Sequence, residues 1–395
     1  MHAVSSPGGD RPTIGVWEAV SRPARPVIRE VLVNGPLTRT TLARTLGLST
    51  GSLTRLTKPL VGSGLLVERG IVHDPVNGRP TRPLDIVARD HHFLGVKLTS
   101  DHMHGVITDL RAEVVAEHSE PLGERTPGAV ARQARALAQR LARTGAPPVA
   151  AGFTMGGNPS AGARPAPSPL FDAPYLDWRR VPVESVLNDA IGIPCVVRND
   201  VSALAHSQRW FGVARGLSDF ALVTVGAGVG YALCLHGRIV ETTEDDLVEF
   251  SHHVLDPGGP MCPAGHRGCV SAYLSTASVL AAASHGLRRP VTLEEIVRGA
   301  REGDAVCAGV VREAGWALGA TVAAVAGLTT VRTVVVAGES VDVARAGRRD
   351  IDRGIGERRL RGHRSLSIPM LSSSFTEWAR GGAVEAIRAF VVEGR

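Results

Sequence analysis

Residues 38–60 read TRTTLARTLGLSTGSLTRLTKPL, which is two short helical patterns joined by a glycine. Thr38 is placed to cap a first helix that carries Leu42, and Ser49 is placed to cap a second helix after the break at Gly47. The second helix has one apolar face, formed by Leu53, Leu56 and Leu60. Because a helix, a short turn with glycine and a second helix is the spacing of the helix-turn-helix, the sequence predicts this motif.

The sequence on either side extends the motif to a winged helix over residues 21–88. Upstream, an apolar helical repeat stops at Asn34-Gly35-Pro36, a strong helix breaker. Downstream, residues 64–68 and 71–72 have the pattern of short strands, and Asn77-Gly78 has the pattern of a hairpin turn. We therefore expect three helices followed by a β-hairpin wing.

The second helix of such a motif enters the DNA major groove with its N-terminal residues towards the bases. Its outward residues here combine short hydroxyl side chains, which approach bases and phosphates closely, with two long basic side chains. Arginines at the wing suit the negative potential of a narrow minor groove. The predicted partner is double-stranded operator DNA. The predicted DNA-binding residues are Arg39, Thr50, Ser52, Thr54, Arg55, Lys58, Arg79 and Arg82.

The positive charge of the chain is concentrated in this region. Residues 21–62 hold seven basic residues and one acid, an excess that equals the net charge of +6 of the 395-residue chain. A basic module on a neutral body is the electrostatic pattern of a polyanion-binding domain. On charge and helix pattern alone, a solvated helical surface and a three-helix protein-binding module are the alternatives.

The sequence shows no sign of secretion or of a membrane span. The start of the chain is polar and rich in Gly and Pro, and residues 1–20 are expected to be a disordered tail. The most apolar stretch, residues 317–336, is interrupted by polar residues and predicts a buried helix and strand. The five cysteines are scattered, which suits a reducing cytosol. We expect a cytoplasmic protein with no membrane partner.

From residue 89 onwards, strand patterns alternate with helical patterns, which predicts an α/β body. Three of its stretches carry specific motifs: RNDVSALA at 198–205, WFGVARG at 210–216, and residues 249–269. These stretches resemble the ROK family of repressors, open reading frames and sugar kinases, and the resemblance runs from about Arg22 to the C-terminus.

The resemblance implies an actin-like, two-lobed sugar-kinase fold over residues 89–395, with a sugar bound between the lobes. One lobe is expected over roughly 89–197 together with a C-terminal helix over 376–393. The other lobe is expected over 198–375.

The resemblance also implies which residues contact the sugar. The catalytic base of the kinases is the aspartate of an Asn-Asp pair, here Asn199-Asp200, and further contacts correspond to Glu249 and His252. An Asx cap on the following helix is the alternative reading of the Asn-Asp pair. Two usual contacts are replaced, by Tyr175 and Ser271. The four predicted effector-binding residues would take a sugar or a sugar derivative.

Three segments that hold ATP phosphates and magnesium in the kinases differ here. The first loop has Lys97 where an acid is usual and lacks the glycines, and the second loop, usually Gly-Thr-Gly, is Gly226-Ala227-Gly228. Residues Ala337-Gly338-Glu339-Ser340 stand where a Gly-Gly pair is usual. Glycine lets backbone N–H groups approach a phosphate, and the acid helps to hold the metal. We therefore expect no ATP, no magnesium and no kinase activity.

The zinc ligands implied by the resemblance are a histidine, a Cys-x-Cys pair and a third cysteine. The corresponding residues are His252, Cys262, Ala264 and Cys269, so one thiolate is missing. Structural zinc prefers four ligands, and His266 is the candidate substitute for the missing cysteine. The predicted metal ligands are therefore His252, Cys262, Cys269 and His266, and a metal-free loop with two thiols is the alternative.

Together these features predict a transcription regulator, and favour a repressor, that senses a sugar without phosphorylating it. Helix-turn-helix proteins usually bind paired half-sites, so a homodimer or homotetramer is expected. Ligand-dependent movement of the lobes would change operator affinity. Two alternatives stay open: an ATP-dependent sugar kinase with a fused DNA-binding domain, and a DNA-binding protein whose body is a ligand-independent oligomerisation scaffold.

Overall fold

A computed structural model describes residues 17, 19–73, 80–160, 169–240, 250–359 and 365–395. The chain divides into two compact units. The first unit comprises residues 1–155, 175–198 and 379–395, and the second comprises residues 156–174 and 199–378. The domain limits given above from the sequence stay predictions.

The first unit begins with the three helices of the predicted helix-turn-helix, Arg25–Asn34, Arg39–Leu46 and Thr50–Gly62. Thr38 and Ser49 cap the second and third helices, because each side-chain oxygen accepts a backbone N–H three residues on at 3.2 Å. Both caps and the helix bounds confirm the sequence prediction. The apolar faces close a small core whose largest members are Ile28, Leu32, Leu42 and Leu53.

The buried face of the third helix differs from the prediction by the addition of Thr57 and by the partial exposure of Leu56. Its buried residues are Leu53, Thr57 and Leu60, whereas Leu56 is half-buried. The hydroxyl of Thr57 donates a hydrogen bond to the backbone carbonyl of Thr54 at 3.4 Å, so this polar group lies in the core without losing its partner.

The wing follows as two antiparallel strand pairs. Leu66–Glu68 pairs with Leu84–Ile86, and Val72–His73 pairs with Pro80–Thr81. These pairs confirm a hairpin, and its predicted turn, Asn77-Gly78, lies outside the described residues. The base of the wing is joined to the helices by two backbone hydrogen bonds between Leu37 and Leu84, at 2.8 and 2.9 Å.

Arg25 attaches the first helix of the winged helix to the C-terminal segment of the same unit. One of its guanidinium nitrogens donates to the carbonyl of Val391 at 3.1 Å, and the other donates to the carbonyl of Trp17 at 3.2 Å. Trp17 lies within the predicted tail, is 1% exposed, and packs edge-on against His91.

Asp85 attaches the wing to the body. Its carboxylate is 2% exposed and accepts hydrogen bonds from Arg69 at 2.8 Å, from Arg111, and from the backbone N–H of Ile86 at 2.9 Å. Burial acts to raise the pKa of Asp85, but the two guanidinium groups outweigh it and lower the pKa overall. The ion triad is therefore held in its charged form.

The body of the first unit is a five-stranded sheet flanked by helices. Phe93–Leu98 is the central strand, parallel to one neighbour, Ala150–Met155, and antiparallel to the other, His102–Thr108. The outer strands are Val114–Pro121 and Cys195–Asn199. Further elements of this unit are the helices Pro127–Thr144 and Val183–Ile191 and the strand Trp178–Val181.

Two glycines let the helix Thr376–Ala386 lie directly on this sheet. A Cβ at Gly95 would overlap the backbone carbonyl of Ala379, and a Cβ at Gly152 would overlap that of Gly382. The helix continues as a π-helical segment, Ile387–Glu393, which reaches the Arg25 side chain. This segment therefore connects the sheet to the first helix of the winged helix, in addition to the ion pair between Asp85 and Arg111.

The second unit is built on a four-stranded sheet. Phe220–Val225 pairs antiparallel with Val229–Leu235 and parallel with Val334–Ala337, and Arg238–Ile239 forms the outer strand. A separate short pair joins Asn158–Pro159 to Phe171–Ala173. In the described part of the chain, the helices of this unit include Asp200–Phe211, Val270–Leu274, Thr276–Leu287, Leu293–Glu302, Ala305–Thr329, Val341–Ala346 and Arg348–Arg358.

The longest helix, Ala305–Thr329, lies in the core of the second unit. Gly315 and Gly319 allow the helix Arg348–Arg358 to pack against it, because a side chain at either position would overlap the backbone of Gly347 or Ile351. Among the described residues, no helix is long and apolar enough to cross a membrane.

Candidate functional site

The third helix of the winged helix presents a polar outer face. Thr50, Thr54, Arg55 and Lys58 are exposed and Ser52 is half-buried, while the opposite face packs into the core. The predicted base-reading side chains therefore lie on one side of a helix whose other side is fixed. The arrangement has the form that a helix inserted in the major groove requires.

Two of the other predicted DNA-binding residues pair with one acid. The carboxylate of Glu68 accepts a hydrogen bond from Arg39 at 2.7 Å and lies 3.8 Å from Arg82. All three side chains are at least 30% exposed, so the group is accessible to a ligand. Two predicted site residues, Arg79 of the wing and Glu249 of the effector set, lie outside the described residues.

Asn199 is the N-cap of the helix Asp200–Phe211. Its carbonyl oxygen accepts from the backbone N–H of Val201 at 2.9 Å and of Ser202 at 3.1 Å, and its amide donates to the carbonyl of Gly157 at 2.9 Å. The cap that the sequence offered as an alternative is therefore present. Asp200 is the first residue of the helix and is 9% exposed, where the helix dipole favours a negative charge.

The segment of residues 252–269, called the metal loop here, brings three of the four predicted metal ligands into one group. Met261 and Arg267 form an antiparallel bridge, and within it the backbone N–H of Cys262 donates to the carbonyl of His266 at 2.9 Å. Gly265 occupies the turn with φ of 87°, a left-handed conformation that favours glycine. The turn therefore holds Cys262 and His266 side by side, whereas Ala264 is exposed.

The ligand atoms of this loop converge. Those of His252, Cys262 and His266 all lie within 4.8 Å of one another. The Nδ1 atom of His252 is 3.7 Å from the sulfurs of both Cys262 and Cys269, and Nδ1 of His266 is 3.7 Å from the sulfur of Cys262. Tetrahedral zinc places neighbouring N and S ligands about 3.5 Å apart, so these distances suit such an ion.

The pKa values of two of these groups are shifted in the direction that favours metal binding, and the pKa of a third is shifted in the opposite direction. Burial acts to raise the pKa of the Cys262 thiol, but backbone N–H groups, those of His266 and Ala264 first, lower it overall. Burial lowers the pKa of His252, which favours its neutral form. Burial raises the pKa of Cys269. Thiolates and neutral imidazoles are the forms that bind metal ions, so the shifts at Cys262 and His252 favour a metal and the shift at Cys269 opposes its thiolate form. The types and spacing of the converging donor atoms fit zinc.

The carboxylate of Glu339 contacts the glycine turn, residues 226–228. The backbone N–H of Ala227 donates to Glu339 Oε1 at 2.6 Å, and a Cβ at Gly226 would overlap the same carboxylate. The remainder of the turn is held by the backbone, because Gly226 donates to the carbonyl of Gly228 at 3.0 Å and accepts from Thr276 at 2.7 Å. The carboxylate of Glu339 therefore binds the Ala227 N–H group, which could otherwise donate to an external anion.

Comparison with known proteins agrees with this architecture. The DNA-binding transcriptional dual regulator NagC of Escherichia coli K12 is 25% identical over 381 residues, covering 91% of this chain and 90% of NagC. The DNA-binding transcriptional repressor Mlc of the same strain is 23% identical over 319 residues, covering 76% of this chain and 77% of Mlc.

Solved structures show the same fold. A ROK family transcriptional regulator, described as a homologue of the E. coli Mlc protein, matches 95% of this chain and 98% of its own with a TM-score of 0.77 at 21% identity. A ROK family glucokinase from Streptomyces griseus, in complex with glucose and AMPPNP, matches 75% of this chain and 99% of its own with a TM-score of 0.63 at 20% identity.

The fold is thus a winged helix followed by an actin-like α/β body of the sugar-kinase type, as predicted. The chain belongs to the ROK family, which its sequence matches over residues 94–361.

Sequence reasoning missed several residues of these sites. Glu68, Asp85 and Glu339 make their side-chain contacts with residues 14 to 112 positions away, and nothing in the local sequence indicates such pairs. The acid at Glu339 was visible as a departure from the Gly-Gly pattern, but its position on the glycine turn was not.

Proposed function

We propose that this chain is a transcriptional repressor that binds operator DNA through its winged helix and binds a sugar or sugar derivative in its ROK domain. The observation that carries the proposal is the third helix, whose apolar face is buried while Thr54, Arg55 and Lys58 are exposed. The names of NagC and Mlc as DNA-binding regulators support it. Because DNA binding requires access to the chromosome, we propose a cytoplasmic location.

The DNA-binding role is tested with Arg55→Ala and Lys58→Ala. Each loses one contact to a base or a phosphate, so affinity for genomic operator DNA falls by roughly ten- to a hundredfold, as for contacts of this kind. Fluorescence anisotropy at fixed salt measures the change. Arg135→Ala removes an exposed arginine of the helix Pro127–Thr144 and serves as the control. Unchanged affinity in both helix variants would refute the assignment of the recognition helix.

The proposed effector site comprises Asn199, Asp200, Glu249 and His252. Asn199 fixes the start of the helix and so sets the position of the Asp200 carboxylate, which would accept hydrogen bonds from ligand hydroxyls. A ligand that binds the folded protein and not the unfolded chain raises its melting temperature, by an amount that grows with the logarithm of ligand concentration over Kd, so a thermal-shift screen against a sugar panel tests sensing. A flat response to every sugar would favour the scaffold alternative.

Loss of kinase activity is part of the proposal. The carboxylate of Glu339 accepts the Ala227 N–H in the turn that faces phosphate in ROK kinases, and a negative charge there repels a polyphosphate. Lys97 replaces the acid that would help to hold magnesium. Sugar-dependent release of ADP by the purified protein would overturn this part and favour the kinase.

The proposed cofactor is one structural zinc ion held by His252, Cys262, Cys269 and His266. The convergence of three of these residues within 4.8 Å supports it, as does the 3.7 Å approach of Cys269 to His252. Such an ion would fix the loop and leave no position open for catalysis. We further propose a homodimer or homotetramer, since paired half-sites need paired winged helices.

A further inference from the structure

We propose that Glu68 is a resident competitor for DNA phosphate at Arg39 and Arg82, and so limits the affinity of the winged helix for DNA. The inference rests on the proposed DNA-binding function. It assigns to an acidic residue a role in setting the strength and the salt dependence of that binding.

The geometry places one carboxylate against two predicted DNA contacts. Arg39 is the first residue of the helix Arg39–Leu46, and Arg82 lies between the wing strands. Glu68 ends the strand Leu66–Glu68, opposite Leu84 in the antiparallel register. Its two carboxylate oxygens are divided between the guanidinium groups, with Oε1 at 2.7 Å from Arg39 and Oε2 at 3.8 Å from Arg82.

The two other acids in the described part of residues 21–88 do not pair with Arg39 or Arg82. Asp85 is buried and holds Arg69 and Arg111 in the internal ion triad. Glu30 lies on the first helix and accepts a hydrogen bond from Asn34 at 2.8 Å. Glu68 is therefore the described acid that shares a surface with arginines proposed to contact DNA.

The pair with Glu68 must open, or the carboxylate must be brought close to phosphate, when DNA binds. An exposed ion pair contributes little to stability, so phosphate can displace the carboxylate. The displaced carboxylate keeps its charge beside the DNA and repels it. Both effects lower affinity, and neither depends on the base sequence, since phosphate contacts carry no sequence information.

A role for Glu68 in orienting Arg39 would change DNA affinity in the opposite direction. If Glu68 oriented Arg39 for its contact, removal of the carboxylate charge would weaken DNA binding. As a competitor, its removal strengthens binding, and the gain shrinks at high salt because the interaction is electrostatic.

The test uses the full chain and a fluorescein-labelled random-sequence DNA duplex, read by anisotropy at two salt concentrations. Glu68→Gln keeps the size of the side chain and removes its charge, and we expect binding about three- to tenfold tighter than wild type at low salt. Glu30→Gln makes the same charge change away from the arginines, and we expect a gain of less than about twofold. In an Arg39→Ala/Arg82→Ala background, Glu68→Gln should gain no more than Glu30→Gln does.

The outcomes separate the two proposals. If wild type binds the duplex and Glu68→Gln binds no tighter than Glu30→Gln, or binds more weakly than wild type, the competitor role is wrong and DNA binding stands. If neither wild type nor any variant binds the duplex at low salt, the proposed function and this inference fail together.

Discussion

The metal loop and the glycine turn of the second unit each lack one residue that the ROK resemblance leads us to expect. In the loop a cysteine is replaced by Ala264, and in the turn a hydroxyl residue is replaced by Ala227. In the loop, His266 is held beside Cys262 and its ring nitrogen faces the same centre. In the turn, Glu339 reaches the backbone N–H of Ala227.

The two replacements have opposite consequences. The loop still gathers electron-pair donors around one point, so it can accept a cation. The turn still has the N–H group of Ala227, but this group donates to the carboxylate of Glu339. An external anion would have to displace that carboxylate. The absence of one family residue therefore does not by itself mean that a site is lost. The side chains that surround the replaced position determine what the site can still bind.

The largest expected effect is on the metal loop. Cys262→Ala removes the ligand that lies 3.7 Å from both histidines, and we expect zinc to fall from about one ion per chain to a small fraction, an affinity loss of roughly a hundredfold or more. Elemental analysis of protein purified under reducing conditions measures it. Cys307→Ala, a buried cysteine of the helix Ala305–Thr329, should keep its zinc. Equal zinc content in both variants would mean that the loop holds no ion through Cys262.

The contribution of His266 is expected to be intermediate. His266→Ala leaves three ligands, so affinity for zinc should fall by roughly ten- to a hundredfold, measured by competition with a chromogenic chelator. Adding Ala264→Cys to His266→Ala should restore much of the loss, because it returns the thiolate of the family pattern. If His266→Ala binds zinc as wild type does, the substitution of histidine for cysteine is refuted.

The smallest expected effect is on the glycine turn. Glu339→Gly removes the carboxylate and restores the Gly-Gly pair, so millimolar AMPPNP should raise the melting temperature by about 2 °C, while wild type stays unchanged. Glu339→Gln keeps an acceptor for the Ala227 N–H and should respond less than the glycine variant. A wild-type shift as large as that of Glu339→Gly would show that the carboxylate does not block the turn.

The sequence predicted interactions between residues close together in the chain, and it did not predict interactions between distant segments. The caps at Thr38 and Ser49 and the placement of His266 beside Cys262 all depend on residues a few positions apart, and local pattern was enough to predict them. The role of His266 as a metal ligand stays a prediction. The prediction for the third helix was right at Leu53 and Leu60 but missed Thr57, because a threonine with an internal hydrogen bond was not counted as a core residue. The contacts of Glu339 and Asp85 depend on how distant segments meet, which local pattern does not contain.

The hydrogen bond between Arg25 and Val391 affects how domains can be exchanged between members of this family. Residues 387–393 belong to the body by sequence, but they supply the carbonyl that receives the first helix of the winged helix. An exchange of residues 21–88 between two family members would leave this arginine facing a foreign partner. A chimera that is meant to answer the sugar of one regulator at the operator of another therefore has to keep at least two contacts intact, that of Arg25 with the end of the final helix and that of Asp85 with Arg111.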